Sequence, residues 1–207
     1  MKLKYPVNNP LVIQPFGYDN TNRPERHSFY TLFNNKHPGV DFKARIDTKI
    51  YASYPGIVVR REFHKGMGKV IGTRYGSIVI LYAHLNKFGV NLGQVIKQGE
   101  LIGYSGNSGM STQPHLHFEI RDITKPSLKE MVLDPHFGKE LVGVKEEIIY
   151  VVNNTNKPKT LSVLAEKYFG TSETCNIKLL KASNANLNNI SDDEILSGGL
   201  SVVVPNY

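Results

Sequence analysis

At 207 residues the chain is long enough for one medium domain and a small second one, and 40% apolar with 21% charged residues excludes a disordered chain. The net charge is +7, and residues 1–144, with 19 of the 25 Lys/Arg and 11 of the 18 Asp/Glu, carry +8 of charge against −1 in the remainder; no run of five basic residues occurs, which favours a solubility charge over nucleic-acid binding. A single cysteine, Cys175, read as a small buried apolar residue, excludes an intrachain disulfide and any cysteine-built metal site, so a metal here would rest on histidine and carboxylate.

The N-terminus, Met1-Lys2-Leu3-Lys4-Tyr5-Pro6, lacks the apolar core of a signal peptide, and no segment reaches membrane-spanning length. The expectation is a protein kept in a cytosol or released by something other than the general secretory route. Leu11-Val12-Ile13 predicts a short strand, followed by a turn at residues 16–20. Residues 23–36, polar and aromatic, predict a loop leading into His37 and lying over a site there.

From residue 37 the pattern is strongly β. Strands are predicted at Val40–Phe42, Ile50–Ala52, Gly56–Arg61, Lys69–Thr73, Ser77–His84, Leu101–Tyr104 and His115–Arg121, separated by Gly and Pro. A short helix is expected within Leu128–Leu133. Composition shifts near residues 138–148. Beyond come a strand (Ile148–Val152), a loop (Asn153–Lys159), helices (Thr160–Gly170, Asn176–Ser183) and a closing strand (Leu200–Val204). The predicted fold class is mainly β, an antiparallel sheet or sandwich over residues 1–144, with a small C-terminal α+β (βααβ) module over 145–207.

Chemistry concentrates in three places. His115 and His117 are two apart in a predicted strand, so both imidazoles project from one face while Leu116 and Phe118 take the other. Glu119 shares the histidine face. His37 and Asp41 are four apart, but Pro38-Gly39 between them argues against a helix and for a tight turn. His84 ends an apolar strand. Each has an ordinary alternative: a turn histidine, a capping aspartate, a solvated strand end. His27, His64 and His136 are assigned to surface or loop sites, with His64 on a basic hairpin tip. Gly106-Asn107-Ser108-Gly109 is not a phosphate loop, because no Lys-Ser/Thr follows.

Together, His37-Pro38-Gly39-Val40-Asp41, Leu81-Tyr82-Ala83-His84-Leu85 and Ser111-Thr112-Gln113-Pro114-His115-Leu116-His117-Phe118-Glu119 resemble the lysostaphin-like zinc endopeptidases, peptidase family M23. Ile13–Tyr18, Ile50–Val58 and Val95–Gly106 are similar to the family's connecting strands in the same order. The resemblance implies His37, Asp41 and His117 as zinc ligands and His84 and His115 as the catalytic pair; Tyr30, in the loop before His37, and Thr112 are expected to bind substrate, with packing the ordinary alternative for Tyr30. The resemblance further implies that His115 takes a proton from water and returns it to the leaving amine, while His84 donates to the oxygen of the tetrahedral intermediate. Gln113 stands where the family has a small residue. Residues 148–207 resemble a LysM domain, which implies binding of N-acetylglucosamine-containing glycan, although the usual Gly-Asp before Thr160-Leu161 is replaced by Pro158-Lys159. The expected protein is a phage or prophage endopeptidase that cuts bacterial peptidoglycan at the cell wall. The alternative is an inactive relative serving as a structural or adaptor protein on the wall or on a virion partner.

Overall fold

The β-branched and aromatic runs between the glycines form strands, and one of them, central to the sheet, organises the rest. The computed structural model describes residues 1–22, 30–141, 145–151, 160, 161, 191 and 201–206. The strands are β1 (Val12–Gln14), β2 (Val40–Lys43), β3 (Lys49–Tyr51), β4 (Gly56–His64), β5 (Gly68–Tyr75), β6 (Ile78–Phe88), β7 (Val95–Ile96), β8 (Leu101–Ser105), β9 (His115–Asp122), β10 (Val132–Leu133), β11 (Lys145–Val151) and β12 (Ser201–Asn206). The pairing is antiparallel throughout the described residues, with very little helix.

The chain divides into two compact units, Met1–Gly143 and Val144–Tyr207. In the first, ten strands form one sheet with the order β1-β2-β9-β6-β5-β4-β7; β10 pairs with β9, and β8 with both β3 and β6. In the second, β11 pairs with β12. The loop and the two helices expected between them lie, apart from Thr160 and Leu161, outside the described residues.

Strand β6 runs beyond its expected end at His84 because it changes partner there. Ile78 to Ala83 lie opposite Asp122 to His117 of β9, and Leu85 to Phe88 then pair with Ser105 to Gly103 of β8. Opposite β5, the register passes from Ile71–Tyr82 to Lys69–Leu85, so Ala83 and His84 together face the single residue Val70. That is a β-bulge, and its second residue, His84, has φ +59°. Hairpin β4–β5 also extends past its expected ends, and β7 is too short for alternation to reveal. The helix after residue 127, α1 (Leu128–Met131), is a single turn capped by the Ser127 hydroxyl, and Val132-Leu133 returns to the sheet beside Arg121 and Ile120.

One face of β2, β9 and β6 is a dry aromatic floor. Phe42, Tyr82 and Phe118 are fully buried, with Phe118 set edge-on to Tyr82 at 5.4 Å and Phe137 5.3 Å from Phe118. Burying such a ring contributes about 1.5–3 kcal/mol. The Tyr82 hydroxyl accepts a hydrogen bond from the Ser53 amide (2.8 Å), and burial pushes its pKa up to about 12. The ends of the unit close the floor: Tyr5 stacks on Phe137 at 4.3 Å, the Leu3 amide bonds to the Lys139 carbonyl, and the Gly138 amide bonds to the Leu3 carbonyl.

Candidate metal centre

The other face carries the histidines. Asp41 lies directly across from His117 in the β2–β9 ladder, so their side chains leave the sheet on the same side. His117 Nδ1 is 2.8 Å from Asp41 Oδ1. His37 enters from the preceding loop, and its Nε2 lies 3.1 Å from His117 Nδ1 and 3.2 Å from Asp41 Oδ1. The turn that delivers His37 requires Gly39, because a Cβ there would run into the Phe118 carbonyl and the Glu119 and His117 side chains. The loop is pinned by backbone pairs, His37 N–H to the Tyr18 carbonyl (2.9 Å) and Gly17 N–H to the His37 carbonyl (2.8 Å), and by the buried Asn20 bonded to Gln14.

The partners of each ring fix which nitrogen faces inward. A carbonyl only accepts, so His37 donates Nδ1–H to Pro15 (3.0 Å), His84 donates Nδ1–H to Ser108 (2.7 Å) and His115 donates Nδ1–H to Gln113 (2.8 Å), with the Ser111 hydroxyl also 3.0 Å from His115 Nδ1. With Nδ1–H so held, neutral His84 and His115 keep the lone pair on Nε2, while His37 Nε2 faces Asp41. His117 is turned the other way: its Nε2 lies 2.9 Å from buried Glu119, which in turn accepts from Arg121 Nε at 2.7 Å. A carboxylate behind a ligand histidine orients the ring and raises its basicity.

The three inward atoms fit a cation. Tetrahedral bonds of about 2.0–2.1 Å put ligand atoms roughly 3.3 Å apart; the three edges here are 2.8, 3.1 and 3.2 Å. His37, Asp41 and His117 form the group among the described residues able to hold a metal ion. The electrostatics agree. Burial would lower the His117 pKa, but its bonds to Asp41 and Glu119 overcome that and raise it to about 10. Burial would raise Asp41, yet its bonds to His117 and His37 hold it well below the usual carboxylate range. The pocket favours positive charge where the three atoms meet.

His84 reaches this face only through the bulge. Strict alternation would put it with Tyr82 on the aromatic floor, since Ala83 pairs with His117. The extra residue turns it over, so its ring lies 4.7 Å from His115 and 5.9 Å from His117. Burial, followed by the charges of His117 and His115, depresses its pKa to about 3. Burial likewise lowers His115. With Nδ1–H held by Ser108, neutral His84 offers an acceptor, so donating to an oxyanion as expected would first require a proton on Nε2.

All five expected metal and catalytic side chains therefore come together. Tyr30 is buried with its ring edge-on to His37 at 5.9 Å, whereas Thr112 is exposed in the loop before β9. His64 does not simply project from its hairpin tip: its Nδ1 accepts the Gly66 and Met67 amides at 3.2 and 3.1 Å and caps the turn. His136 is exposed, and His27 lies outside the described residues. The carbonyls of Pro15, Ser108 and Gln113 carry no side-chain signal. Arg121, two residues beyond Glu119 on the same face, could have been found by alternation.

Residues 35–131 match the family described as peptidase family M23. The chain is similar to the peptidoglycan DD-endopeptidase ShyA of Vibrio cholerae, 40% identical over 85 residues, which covers 41% of this chain and 20% of ShyA. It is also similar to the catalytic domain of the antimicrobial peptidase lysostaphin from Staphylococcus simulans, with a TM-score of 0.52 and 30% identity, covering 62% of this chain and 90% of that domain. A mutant catalytic domain of the prophage-encoded M23 protein EnpA from Enterococcus faecalis gives a TM-score of 0.51 and 26% identity, covering 64% and 94%. The chain spans between 18% and 27% of the length of the curated relatives it matches.

Proposed function

The chain belongs to peptidase family M23, and from that premise we propose that it is a zinc-dependent endopeptidase hydrolysing peptide bonds of bacterial peptidoglycan, in the stem or the cross-bridge. The observation that carries this reading is the convergence of His37 Nε2, Asp41 Oδ1 and His117 Nδ1, with His115 Nε2 3.7 Å from the same carboxylate oxygen. His37, Asp41 and His117 would hold the zinc. When bound, zinc supplies a Lewis acid and lowers the pKa of a water toward ~7.

The chain's own groups do the rest. His115 Nε2 takes one proton from the attacking water as its oxygen bonds to the peptide carbon. The positive charge that the ring then carries is met by the Gln113 carbonyl on Nδ1–H and by Asp41 nearby. Neutral His84 accepts from the water's other O–H, which orients the attack. As the C–N bond breaks, His115 returns its proton to the leaving amine nitrogen. Tyr30 and Thr112 flank the substrate in this reading.

The likeness to ShyA, lysostaphin and EnpA supports a wall substrate, and the prophage origin of EnpA supports a phage or prophage setting with action at the cell wall. The LysM resemblance of residues 148–207 supports a glycan-binding unit that raises the local concentration of substrate. No helix among the described residues is long and apolar enough to cross a membrane. The adaptor reading gains nothing from a site with all five side chains in place.

Purified protein with zinc should clear a cell-wall suspension, and a chelator should stop it. Clearing at the wild-type rate by the His115→Ala, His117→Ala double variant would sink the proposal. Mass spectrometry of the released fragments identifies the bond.

A further inference from the structure

The bulge that turns His84 toward the metal centre leaves a gap in the sheet, and one residue fills it. Lys69 and Leu85 are register partners next to the bulge. Lys69 N–H donates to the Ser108 hydroxyl at 2.9 Å, and that hydroxyl donates to the Leu85 carbonyl at 2.7 Å. Ser108 is thus spliced into the β5–β6 ladder where the extra residue has opened it. Its carbonyl takes Nδ1–H of His84, and the His84 amide is tied to the Met67 carbonyl at 2.8 Å. Non-glycine residues seldom adopt the left-handed backbone of His84, which persists only where its surroundings over-determine it. Here those surroundings are the hairpin tip and the loop carrying Ser108. The two are locked face to face: Met110 N–H bonds to the Gly66 carbonyl, and a Cβ on Gly68 would overlap Ser108.

We infer that Ser108 is a positioning residue for His84. Its hydroxyl holds the bulge that aims the ring, and its carbonyl fixes the tautomer that presents a bare Nε2 to the reacting water. The inference rests on the role given to His84 in the proposed function, and it does not involve the metal ligands. One serine thus does two jobs, satisfying the broken ladder with its hydroxyl and selecting the ring tautomer with its carbonyl.

Nitrogen NMR of the zinc-loaded protein should show His84 protonated on Nδ1 and bare on Nε2; the reverse tautomer overturns the inference without any variant. In Ser108→Ala, kcat for wall clearing should fall about 10- to 100-fold, as for a displaced catalytic group. Apparent KM should stay within about twofold and zinc content should not change. The His84 signals should become a tautomer mixture. Ser108→Thr, which keeps the hydroxyl, should restore both rate and tautomer. Wild-type kcat in Ser108→Ala, or a loss of rate with the His84 signature intact, would overturn the inference. Should Ser108→Ala fail to fold, Gly68→Ala serves, since it displaces Ser108 from the other side and should reproduce the same loss. A wild type that clears no wall sinks the proposed function instead, and the nitrogen spectra still decide the tautomer.

Discussion

Strand β9 separates two kinds of buried surface. Leu116, Phe118 and Ile120 face the aromatic floor; His115, His117 and Glu119 face the metal centre, and both sets are buried. The first set gains free energy simply by leaving water. The second loses solvation, and the loss is offset only by partners: Asp41 and Glu119 for His117, Arg121 for Glu119, carbonyls for His37, His84 and His115. A residue on one face can therefore be judged by its volume. A residue on the other has to be judged by what its neighbours lose.

That distinction can be broken by substitution. Phe118→Ala should have the largest effect, destabilising by about 3–5 kcal/mol in chemical denaturation, while the molecules that remain folded bind zinc as before. Glu119→Gln should do the reverse. It preserves volume but weakens the hold on His117, and zinc affinity should drop about 10- to 100-fold, measured by competition with a chromophoric chelator. Loss of zinc affinity in the first variant, or its retention in the second, would remove the contrast between the faces.

A pH test sharpens the same contrast. The folded-state pKa of His117 is raised from 6.5 to about 10 in the metal-free protein, so its contribution to stability is fully present below pH 6.5 and is lost as pH rises through about 10. At pH 7.5 the ring is protonated, and zinc binding must expel about one proton; calorimetry in buffers of different ionisation enthalpy counts it. The smallest effect belongs to Tyr82→Phe on the floor. It leaves the Ser53 amide without its acceptor and should cost about 1 kcal/mol, with no change in proton release.

Much of this is legible in the residues, and the limits are physical. Alternation on β9 correctly puts His115, His117 and Glu119 on one face because that strand is regular. Pro38-Gly39 correctly excludes a helix. His84 defeats the same rule: its face is set by a bulge, which depends on pairing with β5 rather than on local pattern, and so the pattern ends β6 where the strand only changes partner. The carbonyls of Pro15, Ser108 and Gln113 are invisible because every residue has one. The glycines do mark close approaches, at Gly39 and Gly68, but not which neighbour requires them.

The ladder that joins Leu3 to Gly138 and Lys139 also carries a consequence for biosynthesis. Met1 and Glu140, which meet at 3.3 Å, are 139 residues apart in the chain, so this contact cannot form until nearly the whole unit has left the ribosome. Until then Phe137 cannot cover Phe42 and Phe118. Chains ending short of residue 137 would keep that apolar floor open to proteases and chaperones. The closing ladder thus makes the covering of the first unit's floor one of its last folding events, however early the central strands pair.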